Sequence, residues 1–171
     1  MNNWSEYYRN RINTGYQEYF EKKYEPLFEM LRGYKLVREE GIGIGSVSKC
    51  LRKCGVRSYG FDLSPEMVRL WKDNNPGIKC YVGDIFEFQR DRVEVVVTHG
   101  VLEHFSDEGI MTILNRYRME CQSSVHYVPI EGYKVPSFGD ERLLPLEHWV
   151  DTFQPTKFKV IDNKDLYLFF K

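Results

Sequence analysis

The chain has 171 residues, 42% hydrophobic and 29% charged, with 24 Lys and Arg against 25 Asp and Glu for a formal net charge of −1. That length suits one domain around one core. The balanced charge argues against a protein that holds nucleic acid chiefly through a basic face, while leaving a local basic patch open. The start, MNNWSEYYRNRI, lacks a signal-peptide pattern, and no apolar run approaches a bilayer span, so a cytoplasmic protein without a membrane partner is expected.

Nine of the 26 aromatic residues fall in the first 34 positions: Trp4, Tyr7, Tyr8, Tyr16, Tyr19, Phe20, Tyr24, Phe28 and Tyr34. Their helical spacing, interrupted at Gly15 and Pro26, predicts two or three short helices. Residues 1–34 are therefore expected to form a helical lid segment, and residues 35–171 the main domain.

From Lys35 onward apolar strand candidates alternate with helical stripes. The strands are expected at 35–39, 57–62, 79–82, 93–98, 124–128, 158–162 and 165–170. Between them, Val47, Cys50, Leu51 and Cys54 follow helical spacing, as do Ile110, Ile113, Leu114 and Tyr117, and Leu146, Trp149, Val150 and Phe153. Ser64-Pro65 supplies an N-cap and a first-turn proline ahead of Met67, Leu70 and Trp71. This alternation predicts an α/β fold, a doubly wound and mostly parallel sheet with helices on both faces. The last two strands, joined by the tight turn DNKD, read as a hairpin that closes the sheet with one antiparallel strand.

The four cysteines (Cys50, Cys54, Cys80, Cys121) form no CxxC pair and are expected to be buried free thiols. Four dispersed histidines without ligand spacing give no reason to expect a metal.

Residues 39–45, EEGIGIG, follow the first strand and precede a helix. In a doubly wound sheet, ligands bind at the carboxyl ends of the strands, and a glycine-rich turn lets them approach the main chain. Asp62 ends the second strand, where a carboxylate can accept both hydroxyls of a ribose; Asp84 ends the third and is followed by apolar Ile85. The dinucleotide frame G-x-G-x-x-G fails, because Ser46 or Ser48 stands at its third glycine, and this disfavours NAD and FAD.

Together these segments resemble the class I S-adenosylmethionine-dependent methyltransferases. The likeness rests on EEGIGIG, YGFDLSPEMV, VGDIFEF and VVVTHGVLEHF in order, with the closing hairpin matching that family's reversed seventh strand, and covers roughly residues 35–171. It implies a seven-stranded sheet and S-adenosylmethionine as cofactor. By the same resemblance, Glu39 orients the methionine amino group over Gly41, Gly43 and Gly45, and Asp62 takes the ribose. Leu63, Met67, Asp84 and Ile85 surround the adenine, and His99 and Gly100 pass close to the sulfonium. Arg38 and Glu40 depart from the apolar residues usual beside the first acid. Either that strand end is exposed or these charges pair nearby, and Glu40 competes for the role of Glu39.

Methyl transfer needs nucleophile, carbon and sulfur in line, and a base where the acceptor carries a proton. His104 is the candidate base, although the EH pair recurs in the family with unrelated acceptors. Tyr7, Tyr8 and Arg11 of the aromatic segment and Tyr127 near the fifth strand end are candidate acceptor contacts. The absence of a recognition domain favours a small-molecule acceptor and a monomer or homodimer. The alternatives are a protein or RNA methyltransferase that needs a partner, and a non-catalytic S-adenosylmethionine-binding module.

Overall fold

The computed structural model describes residues 4–9, 12, 15–87, 92–134 and 140–171. The strands are β1 (Leu36–Glu40), β2 (Arg57–Asp62), β3 (Lys79–Val82), β4 (Val93–His99), β5 (Cys121–Pro129), β6 (Lys157–Ile161) and β7 (Asp165–Phe170). They form one sheet in the order β3-β2-β1-β4-β5-β7-β6. The order reverses between β1 and β4, which places the ligand crevice of such a sheet at their carboxyl ends. The reversed strand is not the outermost one. β7 pairs antiparallel with both β5 and β6, so its first residue, Asp165, lies at the carboxyl end of β5. The hairpin turn carries Asp162 and Asn163 at φ 52° and 53°, with Lys164 N donating to Ile161 O at 3.1 Å. Two consecutive positive φ values match the right-handed twist of the strands they join.

The helices are α1 (Trp4–Arg9), α2 (Tyr16–Lys23), α3 (Glu25–Leu31), α4 (Ser46–Lys53), α5 (Pro65–Asn74), α6 (Asp107–Glu120) and α7 (Leu146–Phe153), with a 3₁₀ turn at Leu102–His104. Gly15, at φ 70°, precedes α2, and Pro26 opens α3, so the expected breaks fall where those residues demand them. Strand alternation then sorts the core into two layers. Val37, Val95, Val97, Val125, Tyr127 and Tyr167 meet α2, α3 and α4 through Phe20, Tyr24, Leu27, Leu31, Val47 and Leu51. Val96, Val128, Leu166 and Leu168 meet Ile110, Ile113, Leu114 and Tyr117 of α6 and Trp149 and Phe153 of α7. The cysteines are free; Cys50 and Cys80 are buried, but Cys54 ends α4 in the exposed position of its C-cap, contrary to expectation.

Alternation also resolves the charged end of β1. Arg38 and Glu40 are fully buried and face α6, whereas Glu39 faces α4. Arg38 Nε donates to Glu40 Oε1 at 2.9 Å and its terminal nitrogen reaches Glu120. Glu40 Oε2 accepts from Arg116 and from the Tyr117 hydroxyl, both at 2.7 Å. The charges pair across β1 and α6, and Glu40 is thereby removed from competition with Glu39.

Candidate functional site

The loop from β1 to α4 turns on three glycines in the left-handed region, Gly41 (φ 70°), Gly43 (φ 52°) and Gly45 (φ 74°). Each is there for a different neighbour. A Cβ on Gly45 would stand 1.9 Å from Trp71 Nε1, and one on Gly41 would stand 2.5 Å from Val101 Cγ2 of the turn after β4. Gly43 alone has room for a Cβ, which would stand in ordinary contact with the Tyr8 ring of α1 at 3.8 Å. Gly41 N and Ile42 N both donate to Phe61 O, at 3.0 and 3.1 Å, tying the loop to β2.

The carboxylates sit where the sheet geometry puts them. Asp62 Oδ2 accepts from Gly43 N at 3.1 Å and Oδ1 from Ser64 N at 2.9 Å, so one side chain fixes the glycine loop and the start of α5. Ser64 Oγ caps α5 by accepting from Met67 N at 3.3 Å. Burial pushes the Asp62 carboxyl up, and the two N–H bonds oppose that shift. Glu39 Oε2 accepts from Ser48 N at 3.0 Å and Ser48 Oγ at 2.5 Å. Burial nevertheless raises its pKa to about 8. Ser48, the residue that spoils the dinucleotide frame, is thus what holds the first acid.

Around Asp62 the surface is apolar although it faces solvent. Leu63 is 65% exposed and Val82, which pairs with Asp62 across β2 and β3, is 49% exposed; Phe86, beyond β3, meets Phe105 edge-on at 5.2 Å. Asp84 Oδ1 accepts from Phe86 N at 2.8 Å, while Ile85 turns into the core. Met67 is buried in α5.

Across the switch point, Gly100 (φ 66°) donates to Tyr127 O at 3.1 Å. The His99 ring stacks on Tyr127 at 4.4 Å and meets Tyr24 edge-on at 4.2 Å and Phe20 at 4.8 Å. Burial among these rings, with Lys23 nearby, lowers its pKa to about 3. Tyr127 OH donates to Asp165 Oδ1 at 2.7 Å, and Lys23 Nζ lies 3.8 Å from the same oxygen. His104 lies at the rim instead, its side chain 21% exposed, with Nδ1 3.4 Å from Asp140 Oδ1 and its ring 5.9 Å from Trp4. Trp4 in turn stacks on Tyr8 at 5.9 Å, Tyr7 meets Tyr8 at 5.1 Å, and Arg9 pairs with Glu66 of α5. Helix α1 therefore bridges α5 and the 3₁₀ turn over the glycine loop. Arg11 lies outside the described residues.

Sequence reasoning missed Ser48, Trp71 and Glu103. Glu103 is fully buried with Oε2 lacking a partner among the described residues, and burial raises its pKa to about 8. Its only signal was its place beside His104.

Residues 39–117 match the family model of the methyltransferase domain. The fold is also that of solved structures. The PH0226 protein of Pyrococcus horikoshii superposes with TM-score 0.77 at 17% identity, over 97% of this chain and 98% of its own. Human N-acetylserotonin methyltransferase in complex with SAM gives 0.67 at 17% identity, over 89% and 52%. Magnesium protoporphyrin IX methyltransferase of Synechocystis PCC 6803 with bound SAM gives 0.62 at 16%, over 99% and 84%. Residues 39–117 thus resemble the methyltransferase domain, and the chain shares the fold of these structures. No curated protein matches the chain in sequence. Among its described residues, no helix is long and apolar enough to cross a membrane.

Proposed function

We propose that the protein transfers a methyl group from S-adenosylmethionine to a small-molecule acceptor. The observation that carries this reading is the juxtaposition, at the carboxyl ends of β2 and β3, of a carboxylate, Asp62, with apolar side chains left open to solvent, Leu63 and Val82. Bonds to the loop N–H groups explain the acid alone, but exposed apolar side chains beside it fit a nucleoside, with polar sugar and flat base.

The cofactor supplies an electrophilic methyl group on a positively charged sulfur. On this reading Asp62 accepts the ribose hydroxyls, and Leu63 and Asp84 receive the adenine, with Ile85 backing them from the core. Gly43 leaves room for the methionine portion against the main chain, with Glu39 toward its amino group. Gly41 and Gly45 contribute by letting Val101 and Trp71 pack against the loop, and Met67 supports that apolar surface from within α5. Gly100 brings the turn after β4 close to the reacting carbon. Residues 1–34 act as a lid: Tyr7 and Tyr8 cover the crevice, and opening it requires release of the Arg9–Glu66 pair. Proximity and exclusion of water are the chain's main contributions, and alignment of this kind lowers barriers by about 7–11 kcal/mol.

Two of the similar solved structures are methyltransferases named for small-molecule acceptors, which supports the acceptor class. The test is calorimetry with S-adenosylmethionine and S-adenosylhomocysteine, followed by incubation with methyl-labelled cofactor and fractionated cell extract. Saturable binding and label in small molecules are expected. Label found only in RNA or protein would overturn the acceptor class, and absence of cofactor binding would overturn the whole reading.

A further inference from the structure

Two buried polar atoms stand without a hydrogen-bond partner among the described residues on either side of Gly100: His99 Nε2 and Glu103 Oε2. An orphaned buried polar group costs about 1–3 kcal/mol, which a protein recovers when a ligand supplies the missing partner. Among the other orphans, Trp149 Nε1 and His126 Nε2 belong to the core layers, and Ser46 Oγ and Trp71 Nε1 lie by the glycine loop. His99 Nε2 and Glu103 Oε2 instead flank the turn that follows β4, at the carboxyl end of the sheet. Glu103 Oε1 stands 3.3 Å from where a Cβ on Gly100 would be, so the carboxyl closes tightly on that turn.

We infer that His99 and Glu103 are positioning residues for the methyl acceptor, and that the acceptor is a neutral, planar molecule bearing an O–H. This rests on the methyltransferase reading and deepens it.

The planar shape follows from the surroundings of His99. Phe20, Tyr24 and Tyr127 present ring faces and edges to it at 4.2–4.8 Å. The chain's own phenol ring, Tyr24, already stands edge-on against the imidazole, so the contact accepts a ring of that size. Because Phe20 and Tyr24 belong to α2 and the segment just after it, acceptor binding requires that part of the N-terminal segment to give way.

Neutrality follows from the charges nearby. His99 is held neutral and Glu103 protonated by burial, so neither offers a full charge to an ion. Behind them Lys23 and Asp165 face each other and offset one another. A carboxylate acceptor would meet Asp140 and Glu141, whose charges reach Glu103, and an ammonium would meet Lys23, whose charge reaches His99. A neutral molecule with one donor and one acceptor satisfies both orphans, by donating to the imidazole and accepting from the carboxyl.

The experiment uses the full chain saturated with S-adenosylhomocysteine, so that cofactor binding is scored first and separately. Phenol, benzoate and benzylamine are titrated in turn, with nitrogen-15 NMR of the histidine rings as readout. Phenol is expected to bind more tightly than either ion and to shift the His99 ring nitrogens more than those of His104, His126 or His148. His99→Asn and Glu103→Gln should each weaken phenol about tenfold, and Glu103→Gln should leave S-adenosylhomocysteine affinity within about threefold. If a variant loses S-adenosylhomocysteine affinity, the wild-type ring shift alone decides. The inference fails if phenol does not saturate, if it leaves the His99 ring unmoved, or if benzoate or benzylamine binds more tightly. Loss of S-adenosylhomocysteine binding by the wild type would instead sink the underlying reading.

Discussion

Replacing Asp62 by Asn tests the site at its most connected residue. The side chain keeps its shape and one acceptor oxygen, but its amide now faces either Gly43 N or Ser64 N, setting two donors against each other where bonds of 3.1 and 2.9 Å stood. Hydrogen bonds to charged groups are worth about 1.5–3 kcal/mol, so removing one charged acceptor from the ribose should weaken S-adenosylhomocysteine about 10- to 150-fold. The lost anchor between the glycine loop and β2 should also destabilise the cofactor-free protein by about 1–3 kcal/mol. Calorimetry measures the first effect and urea unfolding the second. Asp84→Asn is the control: its side chain accepts from Phe86 N, and the change should cost about tenfold or less. If folded Asp62→Asn binds S-adenosylhomocysteine within about twofold of wild type, the ribose assignment is wrong.

The ion network should be costly to break and cheap to replace. Arg38→Met takes one partner from Glu40 in the core and should cost about 3–5 kcal/mol in urea unfolding, whereas Arg38→Met with Glu40→Leu and Tyr117→Phe should recover most of that; because Glu40 Oε2 keeps Arg116 and Tyr117 in the single variant, a single-variant cost under about 0.5 kcal/mol would show that the Arg38 bond carries little. The glycines should separate by their neighbours. Gly45→Ala drives a Cβ into Trp71 and should lose about 2–5 kcal/mol of stability, while Gly43→Ala bears only its backbone strain of about 1–2 kcal/mol and chiefly weakens cofactor binding. Equal stabilities would refute the distinction. Stability of the cofactor-free protein should peak at mildly acidic pH. Glu39 and Glu103 stay protonated to about 8 in the fold but ionise near 4.5 when unfolded, so their contribution is lost as pH rises across that range. His99 and His126 stay neutral to about 3 but take protons near 6.5 when unfolded, so theirs is lost as pH falls from there. Between 4.5 and 6.5 the pairs oppose one another. Melting temperatures that climb from pH 6.5 to 8 would contradict this.

What the sequence determined by itself was local. Helical spacing in Ile110, Ile113, Leu114 and Tyr117, the cap at Ser64, the breaks at Gly15 and Pro26, and the DNKD turn all express chain geometry within a few residues. The order of glycine loop and strand-end acids was equally legible, because each acid lies next to the turn it serves. Less so was the start of β5. Its first residues, Cys121 to Ser123, carry no alternating pattern, and they are strand because β4 pairs with them. Tertiary structure alone decided that Arg38 and Glu40 meet Arg116 and Glu120, that Gly45 serves Trp71, and that Ser48 holds Glu39. It also turned His99, rather than His104, into the aromatic box under Tyr24. Such pairings join residues far apart in sequence, whose partners are set by which strand lies beside which, and no periodicity in one segment encodes the face of another.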